Sequence, residues 1–378
     1  MTAAARPFVI LWLGAFTFFL SFLLLLSALP IFARRMGASD AAVGLIMATF
    51  AVSSLILRPP TGWAADRFGR RPFMLAGALV FAVASIAYGW AGGALGLALV
   101  RLLHGCGMGL YPTAASAMVA DLTPPERRGE MLGLYGAAGS LALAAGPITG
   151  ITLIEQLGFT ALFWIAGAVA AVAVVLTGIT GETLMRPRRV AFSVTDAFNT
   201  RALFPSLLML SLMFTYGTQV AFLPLHADTL GVNPGVFFLV FALTTTLARG
   251  PAGRLSDRRG RPAVAATGLV FAGLALVLLA LSQGVVGLAA AGAFYGLAYG
   301  VAQPALMAWC VDGAASGDRG RAMGTFYTAL EVGIAIGSMT SGLAVARWGF
   351  ATTSLATAGV AWAGAALALS GPRPRPAT

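Results

Sequence analysis

The sequence contains no lysine, only two histidines and two cysteines, and only 13 acidic residues in a chain of 378. Charged residues make up 10% of the chain, whereas a soluble domain carries about 25%, so a soluble globular protein is excluded. Cys106 and Cys310 both lie inside apolar runs, which predicts packed thiols rather than a disulfide. Because the few histidines and cysteines show no ligand spacing, we expect no metal site and no cofactor.

Long apolar runs fill most of the chain. Hydrophobic residues amount to 58% of it, and the mean hydropathy is +0.87. The runs are about 20 residues long, which is the length of a helix that crosses a bilayer, and they lack the alternation of a membrane β-barrel. Because backbone groups in lipid must bond internally, the sequence predicts an all-α membrane protein.

Twelve transmembrane helices are predicted from these runs, in two six-helix pseudo-symmetric halves. The predicted spans are 8–32, 41–61, 72–91, 95–121, 130–156, 159–181, 203–227, 233–253, 262–283, 286–311, 321–346 and 350–370. The predicted domains are an N-terminal half (1–181), a polar cytoplasmic linker (182–202), a C-terminal half (203–370) and a disordered tail (371–378).

Arginine supplies all 24 basic residues, and the net charge is +11. The arginines cluster in short loops, which is the pattern that sets membrane topology, so nucleic-acid binding is not expected. With both termini in the cytoplasm, 20 arginines lie on the cytoplasmic side and three lie outside. The charge pattern therefore predicts a multi-pass protein of the cytoplasmic (inner) membrane with both termini inside.

One stretch between apolar runs occurs twice. Residues 62–72 read GWAADRFGRRP, and residues 253–262 read GRLSDRRGRP, so that Asp66 and Asp257 are 191 residues apart. Glycine lets helix ends approach and takes positive φ, and a carboxylate there can neutralise the arginines or face a helix N-terminus. The same offset relates Arg58 to Arg249, Gly105 to Gly296, Asp121 to Asp312, Arg128 to Arg319, Gly129 to Gly320, Gly133 to Gly324 and Gly146 to Gly337. A parallel repeat of two six-helix halves is what such an offset implies.

This stretch resembles the loop signature of the major facilitator superfamily, between its second and third helices, and the resemblance extends over about residues 8 to 370. It implies a cytoplasmic latch in which Asp66 faces the start of the eleventh helix and Arg70 pairs with Asp121, the acid that ends the fourth. The latch residues implied for the two halves are Gly62, Asp66, Arg67, Gly69, Arg70 and Asp121 in the first, and Asp257, Arg258, Arg261 and Asp312 in the second.

The fourth span carries Arg101 and His104. The stretch resembles the fourth-helix motif of drug exporters in this family, where the arginine is linked to proton coupling, although His104 replaces the usual glutamine. The alternatives are that Arg101 snorkels to the outer interface and that His104 is a structural histidine.

The fifth span carries Gly146, Pro147 and Gly150, in which the glycines offer a groove and the proline bends the helix. It is similar to the fifth-helix Gly-Pro motif of proton-coupled drug exporters, with Ala142 in place of the leading glycine. Close helix packing without any export function is the alternative.

Glu331 is the only carboxylate deep within an apolar span, ten residues from Arg321. That spacing places it about 15 Å into a core about 30 Å thick. Because ionisable groups inside the membrane are rare and functional, Glu331 is predicted to take up and release a proton, with Arg101 and His104 as further coupling candidates. A structural hydrogen bond is the alternative.

Polar and aromatic residues at similar depth are candidates for a substrate cavity, with packing as the alternative for each. They are Tyr111, Tyr216, Gln219, Phe222, Tyr299, Gln303 and Trp309. With an acid and a cation nearby, they would suit an apolar or zwitterionic substrate.

The sequence is thus interpreted as a non-enzymatic transporter of the twelve-helix drug:proton antiporter type, which exports small amphipathic molecules by alternating access. Its expected partners are a small-molecule substrate, protons and the lipid bilayer, and it is expected to act as a monomer. Three alternatives stay open: an exporter of one metabolite such as a sugar or a metallophore, an uptake symporter, and a non-transporting receptor or scaffold.

Overall fold

The structure, a computed structural model, describes residues 5–123, 128–184, 199–313 and 319–371. All regular structure within these ranges is helical. Ten of the described helices are long and apolar enough to cross a membrane. Most of the predicted linker and of the predicted tail lies outside the described residues.

The helices of the first part of the chain follow the predicted spans closely. They are α1 (Ala5–Leu26), α2 (Ala28–Arg35), α3 (Asp40–Phe68), α4 (Arg71–Ala87) with a 3-10 turn at Tyr88–Trp90, α5 (Gly93–Asp121) and α6 (Arg128–Ile179). The first predicted span is divided at Ser27 because Pro30 has no N–H to donate to the carbonyl of Leu26.

The second part begins with a 3-10 turn and continues through five helices. They are the turn Thr200–Ala202, α7 (Leu203–Thr229), α8 (Gly235–Arg259), α9 (Arg261–Ala280), α10 (Val285–Asp312) and α11 (Arg319–Ser370).

The repeated signature is helical over most of its length, so the predicted helix ends at 61 and 253 are wrong. The fall in hydropathy predicts where the chain leaves the bilayer, but the backbone hydrogen bonds of the helix continue beyond that point. Each helix ends at a glycine with positive φ, 107° at Gly69 and 87° at Gly260. The N–H groups of these glycines donate to Ala65 and Ser256 at 3.2 and 3.1 Å, which closes the last turn as glycine commonly does.

Two helical runs of 52 residues contain one non-helical residue each. Gly158 in α6 has φ 80° and ψ 174°, and Gly349 in α11 has φ 77° and ψ 169°. These glycines are 191 residues apart. They also fall in the two short gaps predicted between neighbouring spans, after 156 and after 346.

The chain divides into two compact units, Met1–Met36 with Val52–Phe192, and Gly37–Ala51 with Ser193–Thr378. In the first, α1 and α4 pack against α6, and α4 packs against α5. In the second, α7 and α9 pack against α11, and α8 and α9 pack against α10.

The beginning of α3 belongs to the second unit. A Cβ added at Gly44 would lie 3.0 Å from the Cα of Gly342 in α11, and Ala48 and Ala51 form a small apolar cluster with Ala335. The predicted domain boundaries at 181 and 203 stay a prediction. Residues 37–51 lie in the predicted N-terminal half but belong to the second compact unit.

Equivalent glycines make equivalent close contacts within each unit. A Cβ added at Gly77 would lie 2.7 Å from the backbone nitrogen of Tyr111, and one added at Gly268 would lie 2.7 Å from that of Ala302. Both members of the second pair are 191 residues beyond the first. The same offset relates two further pairs of contacts. Gly109 lies against Ser54 as Gly300 lies against Thr245, and Gly146 lies against Leu23 as Gly337 lies against Phe214. The packing of helix on helix is therefore repeated at the level of backbone contact.

The Gly-Pro stretch lies against α1. A Cβ added at Gly146 would lie 2.8 Å from the carbonyl carbon of Leu23, and one added at Gly150 would fall on the carbonyl oxygen of Leu24. Gly337 has no proline after it, yet a Cβ there would fall on the carbonyl oxygen of Phe214. Close approach at this position therefore does not depend on the proline.

We predict that Gly146→Ala and Gly337→Ala each destabilise the protein, by about 1–3 kcal/mol, because the added methyl group meets backbone atoms that cannot give way. The measurement is the thermal unfolding midpoint in detergent, with Gly136→Ala as the matched control in α6. Gly136 has no described atom within 4 Å of an added Cβ, so its change should be neutral or stabilising. Equal midpoints for all three variants would contradict the packing argument.

Candidate functional site

A cluster of charges lies where α3 ends and α4 begins, and it is built around Arg70. The Arg70 guanidinium is ion-paired with Asp66, one turn earlier in α3, and its Nε donates to Asp121 Oδ2 at the end of α5, at 3.2 Å. Thr183 also donates its hydroxyl to Asp121 Oδ2, at 3.0 Å. One cation thereby links the ends of two helices of the first unit.

The charge on Arg70 is well compensated. Only 9% of its side chain is exposed. Burial by itself would lower the pKa of Arg70, but the hydrogen bonds and charges of Asp66 and Asp121 outweigh it, and the pKa is raised. An arginine so placed stays charged, and this one cation is bonded to two acids.

Glu182 completes this cluster, and sequence reasoning missed it because it placed the residue at the start of the linker. Its two carboxylate oxygens accept the backbone N–H groups of Arg70 and Arg71, both at 3.0 Å. The anion thus caps the N-terminus of α4, while the Arg71 guanidinium donates to the carbonyl of Gly178 at the end of α6. The available signal was an acidic residue just beyond a helix C-terminus, where the dipole disfavours an anion.

The second unit repeats the arginine and its two acids. Arg261 donates to Asp257 at 2.5 Å, to Asp312 at 3.0 Å and to the Ser256 hydroxyl at 3.1 Å. The arginine and the acid of its own turn are more exposed here, 21% for Arg261 and 67% for Asp257 against 9% and 42% in the first unit. Position 262 is a proline where the first unit has Arg71, so the second copy has no such guanidinium at that position.

The remaining predicted latch residues lie outside the ion pairs described above. Arg67 is exposed and its guanidinium lies over the rings of Trp63 and Phe68, 5.6 and 5.5 Å from their centroids. Arg258 is also exposed. A Cβ added at Gly62 would meet only Thr113, at 4.0 Å, so packing within the unit does not require a glycine there.

Arg101 and His104 lie together in the core of the first unit. Arg101 is 1% exposed, and its guanidinium lies over the ring of Phe22, 5.6 Å from the centroid. This burial disagrees with the snorkelling alternative, which needs the charged group at the surface. His104 is fully buried, and its Nδ1 is 3.1 Å from the hydroxyl of Tyr88, with the Phe81 ring centroid 4.2 Å away.

Glu331 lies in α11, inside the second unit, with 5% of its surface exposed. Tyr299 and Gln303 lie in α10. The Tyr299 hydroxyl accepts from the side-chain amide of Gln303 at 2.9 Å, and the Gln303 carbonyl accepts from Arg249 of α8 at 3.3 Å. Two of the predicted cavity residues, Tyr299 and Gln303, are therefore bonded to each other.

The other predicted cavity residues are dispersed. Tyr111 is fully buried and stacks on Phe18 with the ring centroids 4.1 Å apart, so it packs α5 against α1. Tyr216 is half-buried beside Tyr295. Three more are buried, which fits the packing alternative, and these are Gln219, Phe222 and Trp309. Among the described residues, no group of three or more histidine, cysteine or acidic side chains is placed to hold a metal ion.

Comparison with known proteins identifies the family. The sequence profile of the Major Facilitator Superfamily matches residues 11–248 and 206–378. The chain belongs to this family of membrane transporters.

Two relatives and two solved structures illustrate how similar this chain is to known transporters. The chain is similar to the multidrug resistance protein MdtG of Citrobacter koseri, with 26% identity over 94% of this chain and 92% of the relative. An uncharacterised MFS-type transporter of Methanocaldococcus jannaschii is 22% identical over 88% of this chain and 89% of its own length. The fold is that of the human organic anion transporter MFSD10, with a TM-score of 0.73 and 20% identity over 97% and 100% of the two chains. A POT peptide transporter gives 0.83 at 16% identity over 97% and 94%.

We predict that Glu182→Gln lowers the thermal unfolding midpoint at neutral pH, because a neutral amide caps α4 less well than a carboxylate. Burial would raise the pKa of Glu182, but the hydrogen bonds from four backbone N–H groups outweigh it and lower the pKa. The stabilisation is therefore present above the ordinary carboxyl pKa of about 4.3 and is lost as the pH falls through the lower folded value.

The measurement is the unfolding midpoint of both proteins across that pH range. The difference between them should be largest near neutral pH and should shrink in acid. Glu155→Gln, at an exposed acid of α6, is the control. A difference that stays constant with pH would contradict the charge-based cap.

We predict that Asp66→Asn reduces transport at least about tenfold, because it removes a charge-assisted bond from the buried Arg70, while folded protein still reaches the membrane. Asp257→Asn should reduce transport less, since the charge cluster to which Asp257 belongs is more exposed. The measurement is flux of a transported compound in proteoliposomes of equal protein content. Wild-type flux in Asp66→Asn would rule out the latch role.

Proposed function

We propose that this chain exports small amphipathic molecules across the cytoplasmic membrane in exchange for protons, by alternating access, with both termini in the cytoplasm. Transport as such follows from the family. The observation that carries the proton coupling is Glu331, a carboxyl group in the interior of an apolar helix with 5% of its surface exposed. Ionisable side chains at such positions mark ion and substrate pathways.

We infer twelve membrane crossings from the lengths of the helices. A straight run of 52 residues would extend about 78 Å, which is far more than the hydrocarbon core of about 30 Å. The positive φ of Gly158 and Gly349 supports a reversal within α6 and another within α11. The ten long apolar runs would then make twelve crossings, six for each half of the repeat.

The direction of transport is inferred from several features together. MdtG is named for multidrug resistance, and the alignment with it spans nearly both chains. The glycines of the Gly-Pro stretch lie in backbone contact with α1, and the stretch resembles that of drug exporters. The proposed coupling residues are Glu331 with Arg101, since both ionisable side chains are buried and lie in long apolar helices.

The proposal is tested by export from a host that lacks its own pumps, with a broad compound panel and with or without an uncoupler. Resistance to several unrelated compounds that the uncoupler removes would support proton-driven multidrug export. Transport of one metabolite alone would identify a dedicated exporter, and proton-driven accumulation in cells would identify an uptake symporter. A chain that transports no compound under any condition would contradict the proposal.

We predict that Glu331→Gln abolishes uphill, pH-gradient-driven transport but keeps downhill exchange, because glutamine keeps the shape and the hydrogen bonds of the acid and cannot exchange a proton. The measurement is flux in proteoliposomes with and without a pH gradient. Glu155→Gln is the matched control, since that acid is exposed. If the Glu331→Gln variant still concentrates substrate against a gradient, Glu331 is not the proton carrier.

A further inference from the structure

Arg249 carries an exposed charge within a predicted membrane span. The predicted span 233–253 contains it, and its helix α8 continues to Arg259. Within the described ranges, its guanidinium bonds to Gln303 and pairs with no acid. Arg70 and Arg261, by contrast, each pair with two acids. The positive charge of Arg249 is therefore not compensated by an acid of the described chain.

The Arg249 side chain extends sideways from α8 and not toward the end of the helix. Arg261 bonds to both Asp257 of α8 and Asp312 of α10, so these two acids lie at about the same level. Arg249 precedes Asp257 by eight residues and Gln303 precedes Asp312 by nine, which places both about 12–14 Å from that level.

The bond to Gln303 holds the charge at this depth. The Arg249 Nη2 donates to the Gln303 carbonyl at 3.3 Å, whereas a snorkelling arginine would reach along its helix toward the interface. A charged group inside an apolar helix faces water or a partner rather than lipid. We therefore expect the exposed part of this guanidinium to meet water or a ligand.

Gln303 also fixes which part of the guanidinium is occupied. Its amide nitrogen donates to the Tyr299 hydroxyl at 2.9 Å, so its carbonyl is turned toward Arg249. The guanidinium has five N–H donors in a planar fork, and such a fork binds the two oxygens of a carboxylate side by side. An amide at position 303 holds the arginine in place without neutralising it.

The surroundings of Arg249 are open on one side and apolar on another. A Cβ added at Gly250 or at Gly253 would have no described atom within 4 Å. On α10, Tyr299, Gln303 and Met307 recur every four residues and so share a face. Tyr299 is half-buried, and Met307 is 37% exposed. A ring and an apolar side chain therefore flank the amide that holds the cation.

The repeat shows that helix packing does not require this arrangement. Arg58, the residue equivalent to Arg249, donates from its Nε to the Ser54 hydroxyl of its own helix at 3.3 Å. The residue equivalent to Gln303 is Pro112, which has no polar side chain. The close backbone contacts are nevertheless repeated in both units, so packing does not account for the amide beside Arg249.

We propose that Arg249, held by Gln303, binds the carboxylate of an amphipathic organic acid, and that Tyr299 and Met307 contact its apolar body. The proposal names a substrate class and rests on the proposed function for transport, but the site itself is defined by binding alone. The phosphate of a lipid headgroup offers the same oxyanion chemistry, so the test must separate these two sources.

Two compounds of the same shape isolate the charge. Cinnamate carries a carboxylate, and cinnamamide is its neutral amide. Equilibrium binding of each is measured to the purified full-length protein in phosphatidylcholine nanodiscs at neutral pH, with empty nanodiscs as the blank. We expect cinnamate to bind at least about tenfold more tightly than cinnamamide, because charge-assisted bidentate hydrogen bonds are about twice as strong as neutral ones.

The variants separate the site from general attraction by positive charge. Arg249→Gln should weaken cinnamate about tenfold and leave cinnamamide unchanged. Gln303→Glu should weaken cinnamate as much, because its own carboxylate takes the guanidinium while the arginine is still present. Arg254→Gln removes another exposed arginine of α8 and is the matched control, which should bind both compounds as the wild type does. The unfolding transition of each variant shows that it is folded.

Equal binding of cinnamate and cinnamamide by the wild type would overturn the site, and so would equal losses in Arg249→Gln and Arg254→Gln. Cinnamate binding that disappears when phosphatidylglycerol is added to the nanodiscs would assign the arginine to a lipid headgroup and also overturn the proposal. The expected binding pattern without proton-driven export would uphold the site and count only against the proposed function.

Discussion

Backbone contact between helices is the constraint on which the rest of this structure depends. Lipid is as apolar as leucine, so helices in a membrane gain little from burying apolar side chains against one another, and close van der Waals contact must supply the attraction. Gly77, Gly109 and Gly146 place the backbones of neighbouring helices in contact in the first unit, and their equivalents do so in the second. Every polar side chain described above is positioned by helices held in this way.

Charge at the helix ends near Arg70 and Arg261 is arranged by a second rule, the direction of the helix dipole. Arg70 and Arg261 each join two acids, and in the first copy a carboxylate also binds the start of one helix and a guanidinium the end of another. Exposed ion pairs contribute little to stability. The more exposed charge cluster of the second unit therefore stabilises the protein less than that of the first. Within the part of the chain that the structure describes, the arginine and its two acids occur in both units, and the helix caps are seen in the first.

The sequence indicated much of this. The offset of 191 residues predicted the equivalence of Arg70 with Arg261, and the apolar runs predicted the helices, because both depend on local patterns. Glu182 and Arg249 could not be assigned in that way, since their partners are distant in the chain: Glu182 caps a helix that begins 111 residues earlier. The ends of α3 and α8 were misplaced because hydropathy reports where the membrane ends and not where the backbone hydrogen bonds do.

The positions that hold the helices together and the positions that carry chemistry do not coincide in the second unit. Contacts there run through backbone atoms at glycines such as Gly300 and Gly337, while Arg249, Gln303 and Glu331 project from other positions of the same helices. Under the proposed function, mutations at such positions can alter selectivity and leave the backbone contacts of the bundle in place. Such separation gives a lineage room to acquire new substrates while its scaffold stays fixed, which is how one fold comes to host many functions.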